Sequence, residues 1–294
     1  MDESLGPLLT RAEGLLARLE NWLPSPAASI DWQQCLAARW QRDGRQGRLQ
    51  ALQVNLQLRI SDLCGVERQV AQLAGNTRQF LQGLPANHAL LWGARGTGKS
   101  SLVRALLAEY AGQGLRLIEI ERDHLADLPR IVEGLAGLSQ RFVLFCDDLS
   151  FEAGEGDYRQ LKSVLDGSLE QAPDNVLLYA TSNRRHLLPE RQSDNQHWQT
   201  VEGEVHPSEA VEDKVALSDR FGLWLSFYPF TQDQYLAVVR HWLQHYAAAA
   251  GLAWEWGRAL ELEAIRWAGG RGNRNGRCAS QFARSWVGRA LLDR

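Results

Sequence analysis

The stretch Gly93-Ala94-Arg95-Gly96-Thr97-Gly98-Lys99-Ser100 constrains this chain more than any other. It fits the spacing G-x-x-x-x-G-K-[ST], with an apolar Leu90-Leu91-Trp92 before it; Ser101 completes the nucleotide-binding stretch, and a helix-like Leu102 to Leu107 follows. A strand, a glycine-rich turn and a helix in that order form a phosphate-binding loop. Glycines let successive backbone N–H groups curl around phosphate oxygens, and the helix points its positive end at them. Lys99 is then placed to reach the β- and γ-phosphates, and the Ser100 hydroxyl to ligate Mg²⁺.

The rest of the pattern supplies a sheet for that loop. Five short apolar stretches read as strands: His88–Trp92, Leu115–Ile120, Phe142–Cys146, Val176–Thr181 and Leu223–Tyr228. Helical stretches separate the first four, which predicts an α/β fold with a five-stranded parallel sheet covered on both faces. A helix from Ser61 to about Gln82, closed by Gly83-Leu84-Pro85, precedes the first strand. Thr231-Gln232-Asp233-Gln234 is a capping box for a helix running to Gly251. Two more helices follow, one ending at Gly269-Gly270 and one over about Asn275–Leu292.

Residues 1–60 read as a separate helical appendage with an extended connector. Leu8, Leu9, Ala12, Leu15, Leu16, Leu19 and Trp22 recur at helical spacing until Pro24 and Pro26. A second short helix is expected over Trp32–Arg42, with Trp32, Leu36 and Trp40 on one face; Val54–Ile60 alternates and reads as extended. The apolar stripes are core or, alternatively, a partner surface. This divides the chain into 1–60, a core over 61–230 and a helical part over 231–294. Within the core, residues 187–216 are polar with little periodicity and read as a surface insertion.

Composition narrows the setting. A hydrophobic share of 45% with 23% charged residues belongs to a soluble globular protein, and no apolar run approaches the roughly 18 residues of a membrane span. Met1-Asp2-Glu3-Ser4 lacks the basic-then-apolar order of a secretory signal, and Cys35, Cys64, Cys146 and Cys278 form no C-x-x-C pair. A cytoplasmic protein is expected. Net charge of −3 gives no global pull toward nucleic acid. Lysine occurs only at 99, 162 and 214, and one of these three falls in the phosphate loop.

Two further strand ends carry chemistry. Arg141-Phe142-Val143-Leu144-Phe145-Cys146 delivers Asp147 and Asp148 at the end of a parallel sheet where ligands bind. Beside a phosphate loop, Asp147 is suited to hold Mg²⁺ and Asp148 to orient or deprotonate an attacking water. Asn183, closing Tyr179-Ala180-Thr181-Ser182, is suited to bond the γ-phosphate or the water, or else caps a helix.

In this order the features resemble the AAA+ ATPases from about residue 61 onward. Leu63, Cys64 and Gly65, after Asp62, look like the segment that encloses adenine there. Gly93–Ser100 corresponds to Walker A, Phe142–Asp148 to Walker B and Asn183 to sensor 1. Ser218-Asp219-Arg220-Phe221-Gly222 resembles an element of bacterial branch-migration helicases whose arginine acts on a neighbouring subunit's ATP, which implicates Arg220. The C-terminal helices then correspond to a lid, with Arg277 as sensor 2 and Arg274 as its rival. Leu144–Glu152, Tyr179–His186 and Asp219–Tyr228 look, more narrowly, like a bacterial family of AAA+ proteins designated domain of unknown function 815.

The resemblance implies a Mg²⁺-dependent ATPase assembled head-to-tail into a ring or partial ring, remodelling an unknown protein partner. Two alternatives stand beside it: a nucleotide-gated binding module with weak turnover, and a nucleic-acid remodeller using the arginines at 266, 271, 274, 277, 284 and 289. Some features depart from the pattern. The second Walker B acid is Asp148, one methylene shorter than the usual glutamate, and three lid helices are visible where four are usual. Glu121–Leu128 lacks the aromatic–apolar–glycine loop with which unfoldases grip peptides, and Gly167–Asn175 is too short for a DNA-contacting hairpin.

Overall fold

A computed structural model describes residues 30–43, 46–149, 161, 165, 173–183, 199–201, 204–206 and 219–293. The chain divides into Met1–Asp31 and Trp32–Arg294, and the second unit carries the fold. The helix expected over Leu8–Trp22 and most of the 187–216 segment lie outside the described residues. Within that segment Gln199–Val201 (β7) pairs antiparallel with Glu204–His206 (β8).

The larger unit opens with β1 (Ala37–Asp43) and β2 (Gln46–Leu52), an antiparallel hairpin. This corrects the helix expected at Trp32–Arg42. Positions 32, 36 and 40 are four apart, a spacing that keeps residues on one helix face but equally on one strand face. The Asp43-Gly44 turn signal belongs to a hairpin, since Asp43 pairs with Gln46 across two residues. β1 then runs parallel to β4, Ala37 opposite Leu117, so residues 37–52 extend the core sheet rather than standing apart from it. The connector reading holds better. From Ala51 to Ile60 exposed and partly buried residues alternate, and Leu52, Val54, Leu56 and Ile60 pack on the core.

The five expected strands are all present. β3 (Ala89–Gly93) is followed by α2 (Lys99–Tyr110), β4 (Leu115–Glu119), α3 (Leu128–Leu135), β5 (Arg141–Cys146), β6 (Val176–Ser182) and β9 (Leu223–Phe227); α1 (Glu67–Leu81) precedes them. The sheet order is β2-β1-β4-β5-β6-β3-β9, parallel apart from β2, so seven strands replace the five expected. Leu90, Leu91, Leu144 and Leu178 are fully buried, as parallel strands covered on both faces require.

After β9 come α4 (Gln232–Ala249), α5 (Arg258–Arg271) and α6 (Gly276–Leu292). The capping box at Thr231 forms as expected: its hydroxyl accepts from Gln234 N at 3.2 Å, and Gln234 Oε1 accepts from Thr231 N at 3.0 Å. Small buried residues, Ala264 and Ala268 on α5 and Ala279 and Ala283 on α6, let the three helices approach closely. Tyr235, fully buried on α4, donates to Ala264 O at 3.2 Å and so joins α4 to α5.

Candidate nucleotide site

Register brings the chemistry together. β5, β6 and β3 are adjacent and parallel, so their carboxyl ends open at one place. Cys146 lies opposite Ala180, which sets Asp147 beside Thr181; Trp92 lies opposite Ser182, which sets Asn183 beside the loop that begins at Gly93.

That loop is tightly specified. Gly93 has φ 130°, and a Cβ there would lie 1.9 Å from the carbonyl oxygen of Phe227. The same carbonyl accepts from Ala94 N at 3.0 Å, pinning the loop to β9. Thr97 Oγ1 donates to Ala94 O at 2.8 Å, closing the turn from inside. α2 begins directly at Lys99, after Gly98 in the left-handed region at φ 105°.

Lys99 is 7% exposed, and its ammonium donates to Gly93 O at 2.7 Å, Ala94 O at 2.8 Å and Asn183 Oδ1 at 3.3 Å. Burial lowers its pKa, with Asp148 and Asp147 opposing that shift. Ser100 Oγ donates to Asp147 Oδ1 at 2.6 Å, and Thr181 Oγ1 meets the same oxygen at 2.6 Å. Asp148 is the sole non-glycine among the described residues with positive φ, at 55°. Its backbone N–H donates to Thr181 Oγ1 at 2.9 Å, Asn183 Nδ2 donates to its Oδ1, and Arg95 stands 3.6 Å from its Oδ2. Thr181 was not singled out from sequence; two hydroxyl-bearing residues preceding Asn183 at the end of an apolar strand are the signal for it.

These groups face a cleft of about 760 Å³, within the range of small-molecule sites. Leu63 and Cys64 line it, whereas Gly65, in a turn at φ 81°, does not. Burial raises the pKa of the Cys64 thiol. From the C-terminal helices come Trp242 on α4 and Arg277, Gln281 and Arg284 on α6. The positions 277, 281 and 284 share one helix face, a spacing by which Gln281 and Arg284 follow from Arg277. Arg274 is exposed and does not line the cleft; its carbonyl accepts from Phe230 N at 3.0 Å. Five cationic side chains, Arg95, Lys99, Arg104, Arg277 and Arg284, and three carboxylates, Asp62, Asp147 and Asp148, border the cleft. That balance suits a polyphosphate carrying a divalent cation.

Arg220 sits elsewhere. It precedes β9, whose Leu223 pairs with Ala89 at the start of β3, so it lies toward the amino-terminal edge of the sheet, opposite the loop.

For the cation, the donors present are the Ser100 hydroxyl and the Asp147 carboxylate, already converging. No cluster of three or more His, Cys, Asp or Glu occurs among the described residues. Two oxygen donors without a dedicated cage fit Mg²⁺, which takes one or two protein ligands and completes its shell from phosphates and water.

A parallel sheet bearing a phosphate-binding loop, two strand-end carboxylates and C-terminal helices lining the cleft has the fold of an AAA+ P-loop protein. Solved structures share the fold, two of them as follows. A Thermotoga maritima RuvB point mutant matches with TM-score 0.50 at 16% identity, over 77% of this chain and 64% of that one. Aeropyrum pernix Orc1 in complex with DNA matches with TM-score 0.53 at 17% identity, over 80% of this chain and 65% of that one. The chain thus spans just under two thirds of the length of either. Residues 33–290 match the family model described as "Protein of unknown function (DUF815)", and the chain belongs to that family. A search of curated proteins gives no match.

Proposed function

We propose that the chain binds ATP with Mg²⁺ in this cleft and hydrolyses it. The reading rests on one observation: Lys99, Ser100, Asp147, Asp148 and Asn183, drawn from three adjacent strand ends, converge within hydrogen-bonding distance at the carboxyl edge of a parallel sheet. Lys99 would neutralise the β- and γ-phosphates, Ser100 and Asp147 would hold the cation, Asn183 would bond the γ-phosphate or the water, and Asp148 would orient the water. The cation supplies charge neutralisation on the phosphates when bound. Leu63 and Cys64 would face the base, and Arg277 the phosphates. Arg220, at the opposite edge of the sheet from its own cleft, would complete a neighbouring subunit's site in a head-to-tail assembly.

The test pairs two variants. Lys99→Ala is expected to abolish nucleotide binding in a calorimetric titration. Asp148→Asn is expected to bind ATP as the wild type does and to release no phosphate. Phosphate release by Lys99→Ala at the wild-type rate would overturn the reading.

A second reading is favoured by Asp148 itself. Its short side chain is held by Asn183 and stands beside Arg95, an arrangement suited to slow turnover and to ATP acting as a gate for partner binding. Capture of a partner, protein or nucleic acid, by ATP-loaded Asp148→Asn would support it, and loss of capture in that variant would count against it.

A further inference from the structure

The last helix is tied to the phosphate-binding loop itself. Asn275 caps α6, its Oδ1 accepting from Cys278 N at 2.8 Å. The other end of the same amide reaches away from the helix: Nδ2 donates to Arg95 O at 2.9 Å. One residue into the helix, Arg277 N donates to Gly96 O at 3.2 Å. Two consecutive carbonyls of the loop therefore receive donors from the start of α6, one of them an N–H that has no partner within its own helix.

The fit leaves little room. Gly96 has φ 79°, and a Cβ there would lie 2.7 Å from Asn275 Nδ2; a Cβ on Gly276 would lie 3.4 Å from Gly96 O. Asparagine is suited to this place because its amide accepts and donates at once. Serine caps a helix comparably but is too short to span to Arg95, and aspartate would turn a carboxylate toward a carbonyl. Arg277 lies two residues beyond the cap, so the cap's position sets where its side chain enters the cleft.

We propose that Asn275 is a positioning residue that fixes Arg277 over the phosphate end of the cleft by strapping α6 to Arg95 O. The inference rests on the reading of the cleft as an ATP site, and it adds a residue that does not itself touch the nucleotide. Any rearrangement of the loop around phosphates is transmitted to α6 through this strap.

The experiment is a double-mutant cycle read by calorimetric titration with ATP and with ADP, both with Mg²⁺. It compares wild type, Asn275→Ser, Arg277→Ala and the double variant. Asn275→Ser is expected to keep its circular dichroism and to weaken ATP about tenfold, ADP less, the worth of one charge-assisted contact. In the Arg277→Ala background the same substitution is expected to cost nothing further. Additive losses, or equal loss for ATP and ADP, would mean that Asn275 acts apart from Arg277 and would overturn the proposal. Should Asn275→Ser fail to fold, Asn275→Asp takes its place in the cycle, because its carboxylate keeps the cap on Cys278 N and removes the donor to Arg95 O. Wild type binding neither nucleotide would refute the ATP-site reading; wild type binding ATP with Asn275→Ser unchanged would refute the strap alone.

Discussion

Arg220 allows the sharpest test of how a complete catalytic site is built. In β9 the residues Leu223–Phe227 run parallel to Ala89–Gly93, so the loop level is reached only at Phe227. Four strand steps span about 13 Å, and Arg220 lies a further three residues back. No extended arginine side chain covers that distance to its own loop. If Arg220 acts on ATP, it acts on a neighbour's. An arginine supplied in this way is worth roughly 10³–10⁵ in rate, or about 4–7 kcal/mol of transition-state stabilisation. Arg220→Ala is therefore expected to bind ATP normally and to hydrolyse it at the rate of dilute wild-type monomer. Lys99→Ala is equally inactive for the opposite reason. Mixed in equal amounts, the two variants place an intact Lys99 against an intact Arg220 at about one interface in four. Phosphate release is expected to recover to about a quarter of the wild-type rate in the mixture, and to rise with total protein concentration. A mixture that stays inactive while light scattering shows assembly would refute the reasoning. So would an Arg220→Ala protein with wild-type turnover.

Other consequences follow from the packing around the site. Gly93→Ala places a Cβ 1.9 Å from the Phe227 carbonyl at φ 130°, combining backbone strain of about 1–3 kcal/mol with overpacking of similar size. Thermal unfolding should fall by roughly 5–20 °C, and an unchanged midpoint would refute that accounting. Thr181→Val keeps the shape of the buried side chain but removes a donor from Asp147 and leaves Asp148 N–H without its acceptor. It is expected to cost about 1–3 kcal/mol of stability and to weaken Mg²⁺-dependent nucleotide binding, as checked by urea titration and calorimetry. His88 Nδ1 accepts from Leu178 N at 3.0 Å, and burial lowers its pKa to about 4. An unfolded histidine takes up its proton near pH 6.5 while the folded one resists to about pH 4, so its stability contribution is present above pH 6.5 and lost as pH falls through that window. From pH 6.5 to 5 the loss should be about 1.5 kcal/mol in urea titrations and be absent from His88→Gln.

The sequence alone determined the parts of this protein that depend on local periodicity. Five largely apolar runs named their strands, because a parallel strand covered on both faces leaves little polar face to interrupt it. The loop from Gly93 to Ser100 was legible because phosphate cradling demands glycines at fixed offsets, and Thr231 announced α4 because its capping box is a local contact. Tertiary structure decided what local spacing leaves degenerate. The four-residue spacing of Trp32, Leu36 and Trp40 satisfies helix and strand alike, and only pairing of β1 with β4 placed Trp40 in a sheet that grew from five strands to seven. Thr181 owes its place beside Asp147 to the register of β6 against β5, which no window of sequence contains. Asn275, expected only as the start of the last helix, meets Arg95 across 180 residues of chain. Arg277 lines the cleft and Arg274 does not, a difference fixed by how α6 docks on the loop rather than by the arginines themselves.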